Sequence, residues 1–457
     1  MHKKGDKYDP DNYRAIAVGS CIGKLFSSIL LDRIIIFKRS HSPDPTNQLG
    51  FTKGAQTLDH IFTIKTIVDK CKKQKKKVFC TFVDLRKAFD SVCRPALLYK
   101  LSCLTGLKGK VFKVVADMYS NSTCQLKMDG KLSGKINVEK GTEQGHTLSP
   151  ELFKTFMQDL SKLLDIGNCP TLQNIEISHL LWADDLVLIA LDKDTLQRQM
   201  TILNDYCTKW GLQINFQKTN TVVFNDRSHS KTYYSQQPVK VGEHTIKMVE
   251  EYTYLGIVLH RNGSFTTAVE ALRKKGLRAM YGMRKYISKN DLSFKALVNL
   301  FDFLIKPVLS YGSPIWTPFM PITTKILKLS HSINNDTISE IDQKSLVSLT
   351  KQFAQNPIER IHLKHLKWSN ASHKKTSNIA TWGDTGRVPL VLDHIKQSIK
   401  YMNRLETLEN HQITKLAFLE QKELDLPWYN TTLKLCRLEN EGDHSTDSYT
   451  PDRIFFY

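Results

Sequence analysis

H-L-L-W-A-D-D-L-V-L-I-A-L, His179–Leu191, is an apolar run broken once, by the adjacent carboxylates Asp184 and Asp185. Two β-prone segments, Glu176–Leu181 and Leu186–Ala190, flank a turn-sized gap, so the stretch reads as a hairpin with acids at its tip. Two like charges at ~4 Å repel by ~4 kcal/mol at an effective dielectric of about 20. A fold keeps such a pair where cations or donors gather, and a hard divalent ion is the usual reason. A plain polar turn between two strands is the other reading, and Asp-Asp alone leaves it open.

Working outward, Val78–Val83 (VFCTFV) is an apolar, β-branched run that ends at Asp84, a carboxylate at the C-terminal mouth of a buried strand. Ala88–Leu104 reads as the helix that follows, with Pro95 in its first turns, and ligand sites collect at such strand ends. A hairpin is expected from Cys124–Met128 and Ile136–Val138 around Asp129-Gly130. In GTEQGHTLSPELF, Gly141 and Gly145 bracket Gln144 before a helix from Pro150 to Leu164 with Ser149 as its N-cap. Beyond the opening hairpin, Asp194 reads as the cap of a helix that ends at Trp210-Gly211. Short strands follow at Leu212–Ile214 and Thr221–Phe224, and a further strand at Tyr252–Leu259.

The order β-α-β-β-α-β across 78–224 is that of a split βαβ sheet with helices on one face. Its two central strands would set Asp84 beside Asp184 and Asp185, although 100 residues separate them in sequence.

Upstream, Gly19–Phe37 carries Ile22, Phe26, Ile29, Leu30 and Ile34 at helical spacing, and Ser-Pro-Asp-Pro at 42–45 ends it. A second helix, Thr57–Cys71, would face a core with Leu58, Ile61, Ile64 and Val68, and six lysines then crowd Lys70–Lys77. That run is either a solvated loop or a phosphate-touching one. Thr266–Ile287 is amphipathic: Val269, Leu272, Ala279, Met280 and Met283 form a stripe, while Arg273, Lys274, Lys275, Arg278, Arg284 and Lys285 crowd the other side. Val388–Leu408 and Gln412–Leu426 are helical in pattern, and Trp368 and Lys374-Lys375 could contact RNA.

At 457 residues the chain exceeds what one core usually holds. Its 65 Lys+Arg against 45 Asp+Glu leave a net charge of +20, which suits a polyanion partner through counterion release, nucleic acid ahead of an anionic membrane surface. Nine cysteines without a CxxC pair argue for reduced thiols and against a zinc knuckle or a disulfide framework. The start of the chain has no apolar signal core, and no apolar run reaches the ~18–20 residues a bilayer needs. The expectation is an intracellular protein of the nucleus or cytoplasm, with no membrane partner.

These motifs together resemble a known family. Phe82–Asp90 (FVDLRKAFD), Gly141–Pro150 (GTEQGHTLSP), Ala183–Asp185 (ADD), Gly211–Thr219 (GLQINFQKT) and Tyr254–Gly256 (YLG) occur in the order of the palm motifs of reverse transcriptases, specifically those of non-LTR (LINE-type) retrotransposons. His2–Asp6, Asn12–Ile16 and Gln48–Gly54 resemble the fingers, Leu304–Gly312 the segment after the thumb, and Ser372–Asn378 with Gly383–Leu390 a C-terminal stretch of such elements. The resemblance implies an α+β, right-hand polymerase with a split βαβ (ferredoxin-like) palm. Its parts would be partial fingers at 1–77, palm at 78–262, a helical thumb-like region at 263–320, and a mostly helical C-terminal region of unknown role at 321–457. It also implies an N-terminally truncated chain whose endonuclease lies in a missing domain or another protein.

The implied reaction is RNA-directed DNA synthesis with an RNA template, a DNA primer and deoxynucleoside triphosphates. Two Mg²⁺ ions, with Mn²⁺ as a substitute, would be held by Asp84, Asp184, Asp185 and the carbonyl of Leu85. By the same resemblance Lys218 is a general acid for pyrophosphate, or a surface lysine, and Phe89 is a gate against a ribose 2′-hydroxyl, or core packing. Lys53, Gln144 and Gly145 would meet the nucleotide. Arg14, Tyr254, Leu255, Gly256, Arg273, Lys274 and Arg278 would meet primer and template. Glu143, which stands where relatives often carry a non-acidic residue, and the truncated fingers keep a second expectation open, a catalytically impaired remnant that only binds nucleic acid.

Overall fold

The computed structural model describes residues 2, 6–9, 12–13, 16–120, 122–128, 130–143, 145–226, 238–288, 291–333 and 343–441. The chain divides into two compact units, residues 1–60 with 76–250, and residues 61–75 with 251–457. This division cuts across the four segments expected from sequence. The second helix from Ile61 onward and the hairpin after residue 250 belong with the later helices.

The first unit is built on Val78–Val83 (β1), whose apolar side chains leave it nearly fully buried between two antiparallel neighbours. The others are His179–Trp182 (β2), Asp185–Ala190 (β3), Asn220–Phe224 (β4), Val239–Val241 (β5) and His244–Met248 (β6). The sheet runs β5-β6-β4-β1-β3-β2. Its last four strands therefore lie in the 4-1-3-2 order of a split βαβ unit, as expected. The register pairs Val83 with Leu186 and Phe82 with both Val187 and Asn220, so Asp84 leaves β1 beside the start of β3. The β5–β6 hairpin extends the sheet by parallel pairing of β6 with β4. Strands this short and polar had no legible period.

Several expected boundaries move, each for a local reason. The helix after β1 is two pieces, Ala88–Ser91 and Arg94–Thr105, because Pro95 has no N–H to give a running helix and restarts the chain in its own first turn. The next helix breaks after Ser149–Met157 and resumes at Leu160–Leu164, and Ser149 lies inside its first turn instead of capping it. Asp192, not Asp194, caps the helix Lys193–Trp210 by accepting the Thr195 N–H at 2.7 Å. Leu212–Ile214 forms a single bridge, Ile214 to Leu85, where a strand was expected. The first helix, Cys21–His41, buries Ser27, Leu30, Ile34 and Lys38, while Ile22, Phe26 and Ile29 are half or more exposed. Lys38 is anchored by Asp44 at 2.7 Å and Glu151 at 2.6 Å, which ties this helix to the helix Ser149–Met157.

In the second unit, Thr57–Lys73 supplies fully buried Phe62, which packs edge-on against Trp428 and Tyr401 at 4.7 and 5.8 Å. The lysine run is partly tied down within its units: Lys70 pairs with Glu420 at 2.7 Å and Lys77 with Asp226 at 2.8 Å. The expected strand Tyr252–Leu259 is a hairpin, Glu251–Tyr254 (β7) and Ile257–His260 (β8). Leu255 and Gly256 turn it with φ of +44° and +84°, a primed turn hidden in an apolar run. Helices Thr266–Tyr286, Leu390–Thr407 and Ile413–Glu423 form close to where they were expected.

Candidate active site

Trp182 pairs with Asp185 across the β2–β3 hairpin, so its loop is only Ala183 and Asp184. Asp184 alone sits in the turn, and Asp185 is the first residue of β3. Ala183 carries φ +59°, a left-handed conformation that costs a residue with a Cβ and persists only when its surroundings hold it. The hold comes from Gln48 and Gly50. Buried Gln48 accepts the Ala183 N–H at 3.2 Å and the Gly50 N–H at 3.0 Å on one Oε1. The flanking backbone pairs too, Leu49 N–H to the Leu181 carbonyl at 3.0 Å and Leu181 N–H to the Asn47 carbonyl at 2.9 Å. A Cβ on Gly50 would stand 2.2 Å from the Ala183 nitrogen, so glycine is required there. Trp182 packs edge-on against buried His60 at 5.4 Å, and burial pushes that imidazole down to about 3.

Asp84 is held from the other side. Asn215 donates its Nδ2 to Asp84 Oδ2 at 2.9 Å, and the Asn215 N–H meets the Asp84 carbonyl at 2.8 Å. Lys218 approaches the same Oδ2 at 3.7 Å from an exposed position. The Arg86 N–H goes to the Gln213 carbonyl at 2.8 Å, so the ladder uses both residues flanking Leu85. The Leu85 carbonyl therefore faces away from Ile214. Asn215 and Gln48 were inside quoted motifs, but neither had been given a role; only contacts across 131 and 135 residues reveal them.

Electrostatics join the three acids. Burial first, then the charges of Asp184 and Asp84, push the Asp185 carboxyl up to about 6. The carboxylate oxygens of the three acids are ligands of the kind a hard divalent ion prefers. Among the described residues no three His, Cys, Asp or Glu side chains close into a self-contained metal cage.

Around this cluster, Phe89 stacks on Phe153 at 4.4 Å and meets half-exposed Phe51 edge-on at 6.3 Å, so it is core packing with one edge open. The Gly141 N–H bonds the Val92 carbonyl and the Thr142 N–H the Phe89 carbonyl, both at 2.8 Å. Buried Arg94 donates to the Gly141 carbonyl at 3.1 Å, fixing the loop's base. Gly145, at φ +101°, passes against the Ala17 backbone. Glu143 contributes to raising the Tyr119 phenol, mainly an effect of burial. Lys53 lies exposed on a turn, while Arg14 and Gln144 fall outside the described residues.

In the second unit, Tyr311 donates its hydroxyl to the Leu255 carbonyl at 2.7 Å, and its ring fills the space a Gly256 side chain would need. Tyr254 is buried there. On the helix Thr266–Tyr286, Arg273 grips Glu270 with two bonds of 2.7 and 2.8 Å, and Arg284 stacks over Trp368 at 4.4 Å. Lys274, Lys275 and Arg278 remain exposed. The solvated row of six cations is thus shorter than its sequence spacing implied.

Comparison with known proteins shows the family. Residues 1–259 match the model of the family described as reverse transcriptase (RNA-dependent DNA polymerase). The RNA-directed DNA polymerase from mobile element jockey of Drosophila melanogaster is 26% identical over 327 residues, 69% of this chain and 34% of that protein. The probable RNA-directed DNA polymerase from transposon BS of the same species is 23% identical, over 69% of this chain and 35% of its own length. The chain thus spans about a third of the length of these relatives. A solved telomerase of Candida tropicalis is 14% identical, covering 86% of this chain and 60% of that one at a TM-score of 0.38. Among the described residues no helix is long and apolar enough to cross a membrane. The chain belongs to the reverse transcriptase family, and its relatives are the polymerases of non-LTR retrotransposons.

Proposed function

We propose that this chain is an RNA-directed DNA polymerase that extends a DNA primer on an RNA template from deoxynucleoside triphosphates. The observation that carries the reading is the gathering of Asp84, Asp184 and Asp185 at the ends of adjacent inner strands, with Asp185 pushed up to about 6 by burial and by its two neighbours. Asp84, Asp184 and Asp185, with the Leu85 carbonyl, would hold the divalent ions. Bound there, the ions would make the primer hydroxyl a better nucleophile and neutralise charge on the departing pyrophosphate. The chain's own residues then set geometry. Asn215 orients Asp84, and Gln48 with Gly50 fixes the Ala183–Asp184 turn, so the carboxylates need little rearrangement when substrate arrives. Lys218, exposed beside Asp84, would deliver a proton to the leaving pyrophosphate. The open edge of Phe89 would crowd a 2′-hydroxyl. The +20 net charge supports a nucleic-acid partner.

Incorporation of deoxynucleotide on poly(rA)·oligo(dT) by the purified chain, with Mg²⁺ and with chelator, tests the proposal. Incorporation that needs the ion is expected. Salt-sensitive binding of the template–primer with no incorporation under any divalent ion would instead establish a binding remnant.

A further inference from the structure

The stretch Ser372–Asn378 (SHKKTSN) plays no part in the chemistry above, yet its backbone is fixed as a binding loop is. One cation does most of this: Lys367 donates its Nζ to the Thr376 carbonyl at 2.6 Å, to Asn378 Oδ1 at 2.8 Å and to the Lys374 carbonyl at 3.4 Å. The Ser372 N–H returns to the Lys367 carbonyl at 2.9 Å, and the Lys375 N–H to His373 Nδ1 at 3.2 Å. The consequence is that Lys374 and Lys375 are displayed, exposed, on a loop whose main chain is already ordered.

The neighbouring surface has matching chemistry. Helix Glu359–Ser369 carries Lys364 and Trp368 four residues apart, hence on one face. Arg284, from Thr266–Tyr286, lays its guanidinium over Trp368 at 4.4 Å and donates to the Lys364 carbonyl at 3.1 Å. The Lys364 ammonium hydrogen-bonds the Tyr281 hydroxyl and lies 4.9 Å from the ring centre. Tyr281 is 51% exposed, and its phenol is held below its ordinary value first by that bond and then by the charges of Lys364, Arg284 and Lys374. Along the same helix Lys274, Arg278, Tyr281 and Lys285 recur at helical spacing as one exposed stripe.

Cations gathered this closely repel one another unless a polyanion compensates them. Charge alone would also suit an acidic protein or a lipid headgroup. The half-exposed tyrosine and the stacked guanidinium–indole pair discriminate, because flat surfaces beside phosphate-binding cations are what unpaired bases stack on. We propose that this face is a nucleic-acid site additional to the polymerase centre, which holds single-stranded RNA or DNA. Lys364, Lys374 and Lys375 meet phosphates; Tyr281 and the Arg284–Trp368 stack meet bases. It rests on the polymerase reading for its setting, since a chain that copies nucleic acid has single strands to hold.

The test is fluorescence anisotropy of the full chain with labelled oligo(U) and, separately, oligo(dT) across a KCl series. Lys364→Ala, Lys374→Ala and Lys375→Ala combined should weaken binding on the order of 10–100-fold and flatten the plot of log affinity against log salt by about 2, from roughly 0.7 per lost phosphate contact on single strands. The same three positions changed to Arg should bind as wild type does. Tyr281→Ala should weaken binding about 10-fold or more, and Tyr281→Phe far less, since a base–aromatic stack is worth roughly 1–3 kcal/mol. A larger loss on oligo(U) names RNA as the occupant, and an equal loss names the shared backbone and bases; both uphold the site. Wild-type affinity and slope in a triple-alanine variant of unchanged circular dichroism overturn it. No nucleotide is added in this assay, so the two readings fail separately. A wild type that extends primers but binds independently of the patch loses only this site, and one that never extends yet loses binding with the patch loses only the polymerase reading.

Discussion

Substituting Gly50→Ala should cripple synthesis without touching any group that does chemistry. The added Cβ would lie 2.2 Å from the Ala183 nitrogen, 2.8 Å from the Trp182 carbonyl carbon and 3.1 Å from the Ala183 Cα. Ordinary contact begins at 3.4 Å, so one backbone must yield by about 1.2 Å. Every atom met is main chain of the turn that carries Asp184, and no side-chain rotation relieves the overlap. Misplacing a reacting constellation by ~1 Å costs on the order of 100-fold in rate. We therefore expect kcat for primer extension to fall about 100-fold, while affinity for template–primer stays near wild type. Gly134→Ala is the control, since nothing lies within 4 Å of its Cβ position. Steady-state extension of both variants, with melting curves to confirm folding, makes the comparison. Activity of Gly50→Ala within twofold of wild type would refute the idea that the 48–50 segment sets the turn.

Other expectations follow from single contacts. Asn215→Leu removes a 2.9 Å bond to a partly exposed carboxylate and should cost about 1–2 kcal/mol of stability by thermal melting, together with a lower kcat. Tyr311→Phe deletes the 2.7 Å bond to the Leu255 carbonyl and should destabilise by roughly 1 kcal/mol, with a weaker grip on the primer read as a raised KM. Asp185 gives a pH signature. Its carboxyl is raised from the ordinary 3.8 to about 6, so the folded, ion-free chain holds the proton more tightly than the unfolded one. The stability this contributes is complete below 3.8 and is lost as pH rises through about 6. The melting temperature of ion-free wild type should therefore fall relative to Asp185→Asn over that window, and Mg²⁺ should restore it above pH 6; parallel curves would contradict the shift.

How much of the site was readable depended on how its parts communicate. Asp84, Asp184 and Asp185 were legible because a carboxylate at the end of an apolar run is costly and their spacing fits a split βαβ sheet. The strand order bore that out. Asn215 and Gln48 were not legible as anchors, because the side chain of each reaches a residue more than 130 positions away, which leaves no local period. Tyr311 is the same kind of residue for the Leu255–Gly256 turn, which itself hid inside an apolar run that read as a continuous strand. The reading of the helix Thr266–Tyr286 erred the other way. Six cations on one helix face look equivalent in sequence, and only the fold shows Arg273 turned to Glu270 and Arg284 laid on Trp368.

The central claim is that the three acids at the ends of adjacent inner strands perform nucleotide addition, and wild type beside Asp184→Asn tests it most directly. Both should bind an RNA-template, DNA-primer duplex with equal affinity and salt dependence in the same preparation, and with Mg²⁺ and deoxynucleotides only the wild type should lengthen the primer. Equal extension by the two proteins, or none by a folded wild type that binds the duplex, would contradict it.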